Sequence, residues 1–343
     1  MQKLSFGKRL LRNKAFPLLL ILVVMAIITM IFSSGVLNGK PLHSLFISGF
    51  MASGNLLNVF YGLVIQCIIL CGLGVIIMGG SIDLSVAGQA AFGSMIFATL
   101  CLSAGLGWGW ALIICLIIGA ALGLINTFLV NKLQFPAFIA TIGMATIYNG
   151  LCNAMKGGNV IQIVNPSLLA IVQTRWFGNR IPATFLFAIL IIIIYQVVLS
   201  RTRFGRSIFM AGGNAAAARL SGLNPNRIRM ILFINNGVLA VLGGIIYASQ
   251  IKQANPAGIQ TMAPDMRVIA AAVLGGVSFM GGTGNLGGPL VALLLLNVFN
   301  NMLIVLKAPT YWTIFAQGFL LVIALIIDFV GEERRRRALL LAK

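Results

Sequence analysis

The chain has 343 residues, of which 59% are hydrophobic and only 8% are charged, and its mean hydropathy is +1.03. This composition excludes a water-soluble domain, because no aqueous fold could bury so much apolar surface. The net charge of +19 does not indicate nucleic-acid binding, since the basic residues lie mostly between and beyond apolar stretches. We therefore predict an all-α, polytopic integral membrane protein that lies in the lipid bilayer and whose single transmembrane domain comprises residues 1–343.

Apolar stretches bounded by polar, Gly or Pro residues predict about ten transmembrane helices, since each crossing needs roughly 20 mainly apolar residues. The eighth is short and rich in glycine. The first follows five basic residues and could imitate a signal peptide, but it is long enough to span and we predict that it is retained. The predicted spans lie near residues 17–33, 55–78, 85–103, 109–130, 135–155, 182–200, 230–250, 268–281, 286–306 and 311–329.

The distribution of basic residues predicts the orientation of these helices. An even number of spans places both termini on one side of the membrane, together with every second connection. The connections on that side carry most of the lysines and arginines, so the positive-inside rule predicts cytoplasmic termini. Two connections are long: 156–182, predicted to face outward, could dock a partner or form an interfacial belt, and 201–229 is predicted to face the cytoplasm.

The long cytoplasmic connection contains the signals of a short helix. Asn214 is a favourable N-cap, four alanines follow it, and Gly222 is well placed to end the helix. We interpret this exposed helix as a coupling element that seats on a nucleotide-binding subunit. The alternative is a basic loop that only fixes topology.

Acidic residues are too scarce to favour coupling to protons or sodium ions. Only five occur, and three of them, Asp328, Glu332 and Glu333, cluster at the end of the last predicted span. Asp83 is the one candidate near membrane depth. We interpret it as a helix cap or a hydrogen-bonding residue near a gate, in preference to an ion site.

Neutral hydrogen-bonding side chains are common in the predicted spans. Amides can bind the hydroxyl groups of an uncharged polar solute, although they also hold transmembrane helices together. Both interpretations apply to each candidate, and path lining is favoured somewhat for the adjacent pairs. The amides taken as gate or path candidates are Asn126, Asn149, Asn235, Asn236, Asn300 and Asn301.

Nothing in the sequence indicates catalysis. The single histidine lies in a predicted outer connection, no His, Glu or Cys group has metal-ligand spacing, and no G-x-x-x-x-G-K-[ST] phosphate loop occurs. We predict a transport subunit that is not an enzyme and binds no metal or cofactor of its own. If ATP drives transport, another subunit hydrolyses it.

Two predicted spans end in similar glycine pairs. Gly79 and Gly80 follow one span and are themselves followed by Ser81, Ile82, Asp83, Leu84 and Ser85; Gly275 and Gly276 lie in the last part of another. Paired glycines allow helices to break or to pack closely, as they do around transporter pathways. An internal repeat and a shared packing requirement both explain the similarity.

The chain resembles the permease subunits of bacterial ribose/xylose/galactoside-type ABC importers in three motifs, whose order agrees over about residues 55–328. The first is the segment 79–86, with Ser81 as an inserted residue; the second is 212–222; the third is 269–284. The chain departs from the family at Ala215 and Ala216, where a glutamate is common, so a charge contact with the ATPase is lost or moved. The resemblance implies a multi-pass permease of the bacterial inner membrane.

The resemblance also implies partners and residue roles. The working unit would contain a second permease copy, identical or related, ATPase subunits that carry ATP and Mg, and an extracytoplasmic sugar-binding protein. A permease for nucleosides or branched-chain amino acids is the nearest alternative, and an ion-coupled secondary transporter is a more distant one. The residues implied in ATPase coupling are Gly212, Gly213, Asn214, Arg219, Ser221 and Gly222. The glycine pairs and the segment around Asp83 supply the other gate or path candidates, which are Gly79, Gly80, Asp83, Ser85, Gly275 and Gly276.

Overall fold

The computed structural model describes residues 15–309 apart from 37–39, 48, 103 and 179, and isolated positions between 311 and 326. In this part the protein is a helix bundle with four two-residue β-strands: β1 (Ile161–Gln162), β2 (Arg175–Trp176), β3 (Ile181–Pro182) and β4 (Gln253–Ala254). The helices are α1 (Ala15–Ser34), α2 (Ser44–Ile47), α3 (Ser53–Met78), α4 (Val86–Leu102), α5 (Trp108–Lys132), α6 (Ala137–Ala154), α7 (Pro166–Val172), α8 (Ala183–Arg201), α9 (Arg203–Gly213), α10 (Ala215–Leu220), α11 (Pro225–Gln250), α12 (Pro256–Met262), α13 (Pro264–Leu274) and α14 (Gly287–Val305).

Six of these helices are long and apolar enough to cross a membrane: α1, α3, α5, α8, α11 and α14. Each coincides with a predicted span. The helices α4, with 17 residues, and α6, with 18, also lie where spans were predicted but do not reach the same standard of length and apolarity. The last predicted span, near 311–329, lies mostly outside the described residues. The total of about ten spans and the cytoplasmic position of the termini stay predictions.

The predicted span near 268–281 is wrong in its second half. The helix α13 has 11 residues and ends at Leu274, so it rises only about 16 Å, roughly half of a hydrocarbon core of about 30 Å. Gly276 follows it with a φ of 94°, a left-handed conformation that ends an α-helix. At the other end Ala263, with a φ of 43°, separates α13 from α12. The predicted span is therefore the second part of one short helix, α13, followed by a glycine-rich connection.

The helix α3 lies at the centre of the bundle, and every residue from 63 to 78 is buried. It contains one π-helical turn, Leu70–Gly74. The helix α11 packs against α3, α4 and α5. Its crossing with α5 is close because a Cβ atom at Gly119 would lie only 2.7 Å from the carbonyl oxygen of Gly237. Small residues of this kind allow membrane helices to pack backbone to backbone.

Connections predicted to lie on the same side of the membrane do meet in the structure. In the predicted outer connections, β1 pairs with β4 in antiparallel register, Ile161 opposite Ala254. The strands β2 and β3 form a second antiparallel pair. On the predicted inner side, the connection after α3, the end of α9 and the connection after α13 meet one another through their glycines. This arrangement agrees with the predicted alternation of the helices.

Candidate functional site: a glycine junction and a buried carboxylate

Three glycine pairs from distant parts of the sequence meet at one point of the bundle. One pair follows α3, one ends α9, and one lies between α13 and α14. We call these six residues the glycine junction: Gly79, Gly80, Gly212, Gly213, Gly281 and Gly282. The Gly282 amide donates a hydrogen bond of 2.8 Å to the carbonyl oxygen of Met78, which joins the first and third pairs. Three motifs that were separate in the sequence therefore form one contact.

Main chains touch directly in the glycine junction, which explains its composition. A Cβ atom at Gly212 would lie 2.1 Å from the Met78 carbonyl oxygen, and one at Gly281 would lie 2.7 Å from the Cα atom of Gly80. Both distances are far below the roughly 3.5–4.0 Å of a van der Waals contact. Gly80 and Gly281 also have φ angles of 73° and 83°, which other residues rarely adopt. The end of α9 is thus fixed against the end of α3.

The glycine pairs after α3 and after α13 end their helices in the same way. Gly80 and Gly276 both adopt left-handed conformations, and in each case the next amide bonds to a carbonyl five residues back. This is the Schellman arrangement. Gly275 in addition lies against α14, where a Cβ atom would be 2.0 Å from the nitrogen of Pro289. The shared geometry agrees with the similarity seen in the sequence, whether it arises from a repeat or from a common packing requirement.

The connection that leaves the glycine junction carries Asp83 into a buried polar cluster. The Asp83 carboxylate accepts hydrogen bonds from the Ser85 amide at 2.9 Å and from the Ser85 hydroxyl at 2.6 Å. Asn236 of α11 donates to it at 2.9 Å, and Asn126 of α5 donates to its two oxygens at 3.3 and 3.4 Å. Gln89 of α4 donates to Ser85 at 2.7 Å and to Asp83 at 3.5 Å. These five residues, the Asp83 network, connect α4, α5 and α11.

Each of these partners donates to Asp83, which is the arrangement that a carboxylate anion requires. Burial raises the pKa of Asp83, and the hydrogen bonds from Ser85, Asn236 and Asn126 oppose that rise. Because the donors replace much of the lost solvation, we interpret Asp83 as ionised. Asp83 was expected to cap the next helix. The amide that it binds, that of Ser85, precedes the first residue of α4, Val86, so this contact lies within the connection before the helix.

The segment predicted as the coupling element forms the helices α9 and α10. Asn214 caps α10, as predicted, because its side-chain oxygen accepts hydrogen bonds of 3.0 Å from two amides of the first turn. Gly222, with a φ of 79°, follows the end of the helix, also as predicted. Arg219 and Ser221 are exposed, and Leu220 between them is 92% exposed. The tip of α10 thus presents a cation beside an apolar side chain.

Other path candidates lie apart from the Asp83 network. Asn235 accepts a hydrogen bond from the Tyr195 hydroxyl of α8, so it faces a different neighbour from Asn236, the next residue. Asn149 on α6 and Asn300 on α14 are half-buried. Their proposed roles in a path stay predictions, and the adjacency of Asn235 and Asn236 does not give them a common position.

Two reciprocal amide pairs join α3 to α14. Asn55 and Asn301 exchange two hydrogen bonds of 2.8 Å. Gln66 and Asn297 exchange one of 2.6 Å and one of 3.5 Å, and both residues are buried. We call these four residues the amide pairs. Asn301 is the one predicted path candidate among them, and the contacts of all four residues join two helices.

Two residues in or beside the Asp83 network, Gln89 and Tyr148, were not predicted from the sequence. Gln89 lies four residues after Ser85, and this spacing could have indicated that their side chains meet at the start of α4. The Tyr148 hydroxyl donates to the side-chain oxygen of Asn126 at 3.2 Å and so fixes the direction in which that amide points. No local pattern indicates Tyr148, because the contact joins two different helices.

Sequence comparison assigns the chain to a class of membrane transport proteins. Residues 55–325 match the family described as the permease component of branched-chain amino acid transport systems. This range contains the glycine junction, the Asp83 network and the amide pairs. The chain belongs to this family, as the resemblance of its motifs predicted, and it is a multi-pass permease of the inner membrane.

Three similar proteins within the class carry the name autoinducer 2 import system permease protein LsrC. The protein from Photorhabdus luminescens is 34% identical over 268 residues, which cover 77% of this chain and 78% of the relative. That from Yersinia enterocolitica is 33% identical over 77% of this chain and 72% of its own length. That from Yersinia pseudotuberculosis is 34% identical over 77% and 74%. No solved structure matches the chain.

Proposed function

We propose that the chain is the membrane-spanning permease subunit of an ATP-driven, binding-protein-dependent importer and that it forms the translocation path for a sugar. The family match over residues 55–325 is the observation that carries this proposal. The names of the similar proteins add autoinducer 2 to the solutes to be tested. An uncharged polar solute also suits helices that carry many amides and few charges.

The glycine junction supplies a contact route from an outside subunit to the interior of the bundle. The exposed tip of α10 is the surface on which an ATPase would act. From there α9 reaches the end of α3 through main-chain contact at Gly212 and Gly80. The connection after Gly80 leads to Asp83, which is bonded to α5 and α11. Movement of α9 would therefore shift the segment that holds these two helices.

The proposed working unit contains proteins other than this chain. It comprises ATPase subunits that carry ATP and Mg, an extracytoplasmic solute-binding protein, and a second permease that is identical or related. The support is the family itself, in which the permease is one component of a transport system. The chain would supply the path, and its partner subunits would supply the hydrolysis.

Reconstitution tests this proposal directly. The full chain would be placed in proteoliposomes with the ATPase and binding protein recovered from its host, and the uptake of labelled ribose, autoinducer 2 and leucine would be measured. We expect uptake of ribose or autoinducer 2 that requires both ATP and the binding protein. Uptake of leucine alone would favour the amino acid transport in the family description. Uptake driven by a proton or sodium gradient without ATP would contradict the proposal.

A further inference from the structure

A cavity of about 410 Å³ lies beside the glycine junction. It is bounded by the connection after α3, by the connection between α5 and α6, by Phe279 and by Arg229 of α11. Its volume falls in the range of about 300–1,000 Å³ that is usual for small-molecule sites. Apart from Gly80, no residue of its wall belongs to the glycine junction or to the Asp83 network.

The chemistry of the cavity is set by Arg229, the one charged side chain that the described residues contribute to its wall. One guanidinium nitrogen of Arg229 donates to Asn131 at 3.1 Å, and the buried Nε has no hydrogen-bond partner among the described residues. A second cation, Arg219, is near enough to act on Arg229 electrostatically. Neither Asp83 nor Asp265, the two carboxylates in the described part of the chain, forms an ion pair with it. Two like charges that have no counter-ion among the described residues favour an anion.

We propose that this cavity binds a phosphate-bearing ligand, with the phosphate on the guanidinium of Arg229. A guanidinium matches phosphate geometry because it can donate two parallel hydrogen bonds to two oxygens. Ser81 and Gln134 add neutral hydrogen-bonding groups to the wall. The remainder of the ligand would lie against three aromatic rings in the same wall, those of Phe135, Phe138 and Phe279. A sugar phosphate and the head group of an anionic phospholipid share this chemistry.

The position of the cavity would bring a bound ligand close to the predicted coupling element. Gly80 lines the cavity and also contacts Gly212 at the end of α9. A bound ligand would therefore touch the same connection that meets the coupling element. The binding itself does not rest on the proposed transport function, because the isolated permease contains the whole cavity.

A binding experiment on the full-length permease tests the proposal. The protein would be placed in phosphatidylcholine nanodiscs and titrated with ribose phosphate, inorganic phosphate and ribose, with calorimetry as the readout. We expect saturable binding of a phosphate-bearing probe and none of ribose. Arg229→Gln should weaken that binding about tenfold or more, since it removes a charge-assisted hydrogen bond. The matched control is Arg227→Gln, which removes the same charge from an exposed residue that does not line the cavity.

A further variant and a lipid arm make the outcomes decisive. Ala137→Phe fills the cavity but keeps Arg229, and it should also abolish binding. This variant tests the proposal even if Arg229→Gln fails to fold. Native mass spectrometry in nanodiscs with added phosphatidylglycerol would identify a lipid as the ligand if this lipid stays on the wild type and is lost from Arg229→Gln. The proposal is overturned if no phosphate-bearing probe binds in either membrane, or if wild type, Arg229→Gln and Arg227→Gln bind alike.

Discussion

Asp83 is a buried carboxylate that is held by neutral donors and has no cationic partner among the described residues. Its contacts come from Ser85, in the connection before α4, and from Gln89, Asn126 and Asn236, which lie on three helices. Burial of an unpaired charge is costly, and only hydrogen bonds from several donors can offset that cost. The protonation state of this one residue therefore decides whether the surrounding amides are correctly paired.

Asp83→Asn tests the ionised state. The new amide group would point a donor at existing donors, so at least one buried group would lose its partner, and we expect the free energy of unfolding to fall by about 1–3 kcal/mol. Chemical denaturation in detergent would measure it. Asp265→Asn is the control, because Asp265 is also buried but lies outside the Asp83 network. If Asp83→Asn is as stable as the wild type, Asp83 is a neutral acid and our interpretation is wrong.

Gly212 and Gly213 are neighbours whose surroundings differ, which makes them a matched pair of variants. A Cβ atom at Gly212 would lie 2.1 Å from the Met78 carbonyl oxygen, whereas one at Gly213 would have its nearest neighbour at 3.5 Å. Alanine favours the helix by about 1 kcal/mol at either position, so only the clash distinguishes them. We expect Gly212→Ala to abolish the ATPase stimulation of a reconstituted complex and Gly213→Ala to retain it. Equal stimulation would show that main-chain contact at the junction does not matter.

The helices α3 and α14 are joined by the amide pairs, and the reciprocal geometry gives a measurable coupling. Asn297→Leu would leave the buried Gln66 side chain without its partner and should lower the stability by about 1–3 kcal/mol. The double variant Gln66→Leu with Asn297→Leu should recover part of that loss. A double-mutant cycle in detergent would measure the coupling, which in membrane helices averages about 0.6 kcal/mol. Strictly additive losses would mean that the pair contributes no coupling.

Most long helices could be predicted from the sequence because a run of apolar residues both defines a span and sets its length. The cap at Asn214 and the helix end near Gly222 were predictable for a similar reason, since both depend on local backbone chemistry. The end of α13 was misplaced, although Gly275 and Gly276 had been identified as a pair that allows a helix to break. Gly276 adopts a left-handed conformation within an apolar stretch, and hydropathy does not show where in such a stretch a helix ends.

Most residues of the candidate site could be predicted from the sequence, but their assembly in the whole molecule could not. Asp83, Ser85, Asn126 and Asn236 were each named, yet their convergence depends on how α4, α5 and α11 pack. The three glycine motifs likewise gave no sign that they touch. Contacts between distant segments leave no local periodicity, so a single sequence shows the residue types without their neighbours.

The glycine junction joins α9, which leads into the exposed α10, to the buried core by main-chain contact, and we propose that an ATPase acts through it. Purification of the tagged full-length chain from its host in mild detergent, with mass spectrometry of the proteins that accompany it, tests this role. We expect a P-loop ATPase with the wild type and with Arg180→Glu, an exposed control, and its loss with Arg219→Glu. A chain that purifies without any ATPase and transports solute under an ion gradient would show that no ATPase acts on it.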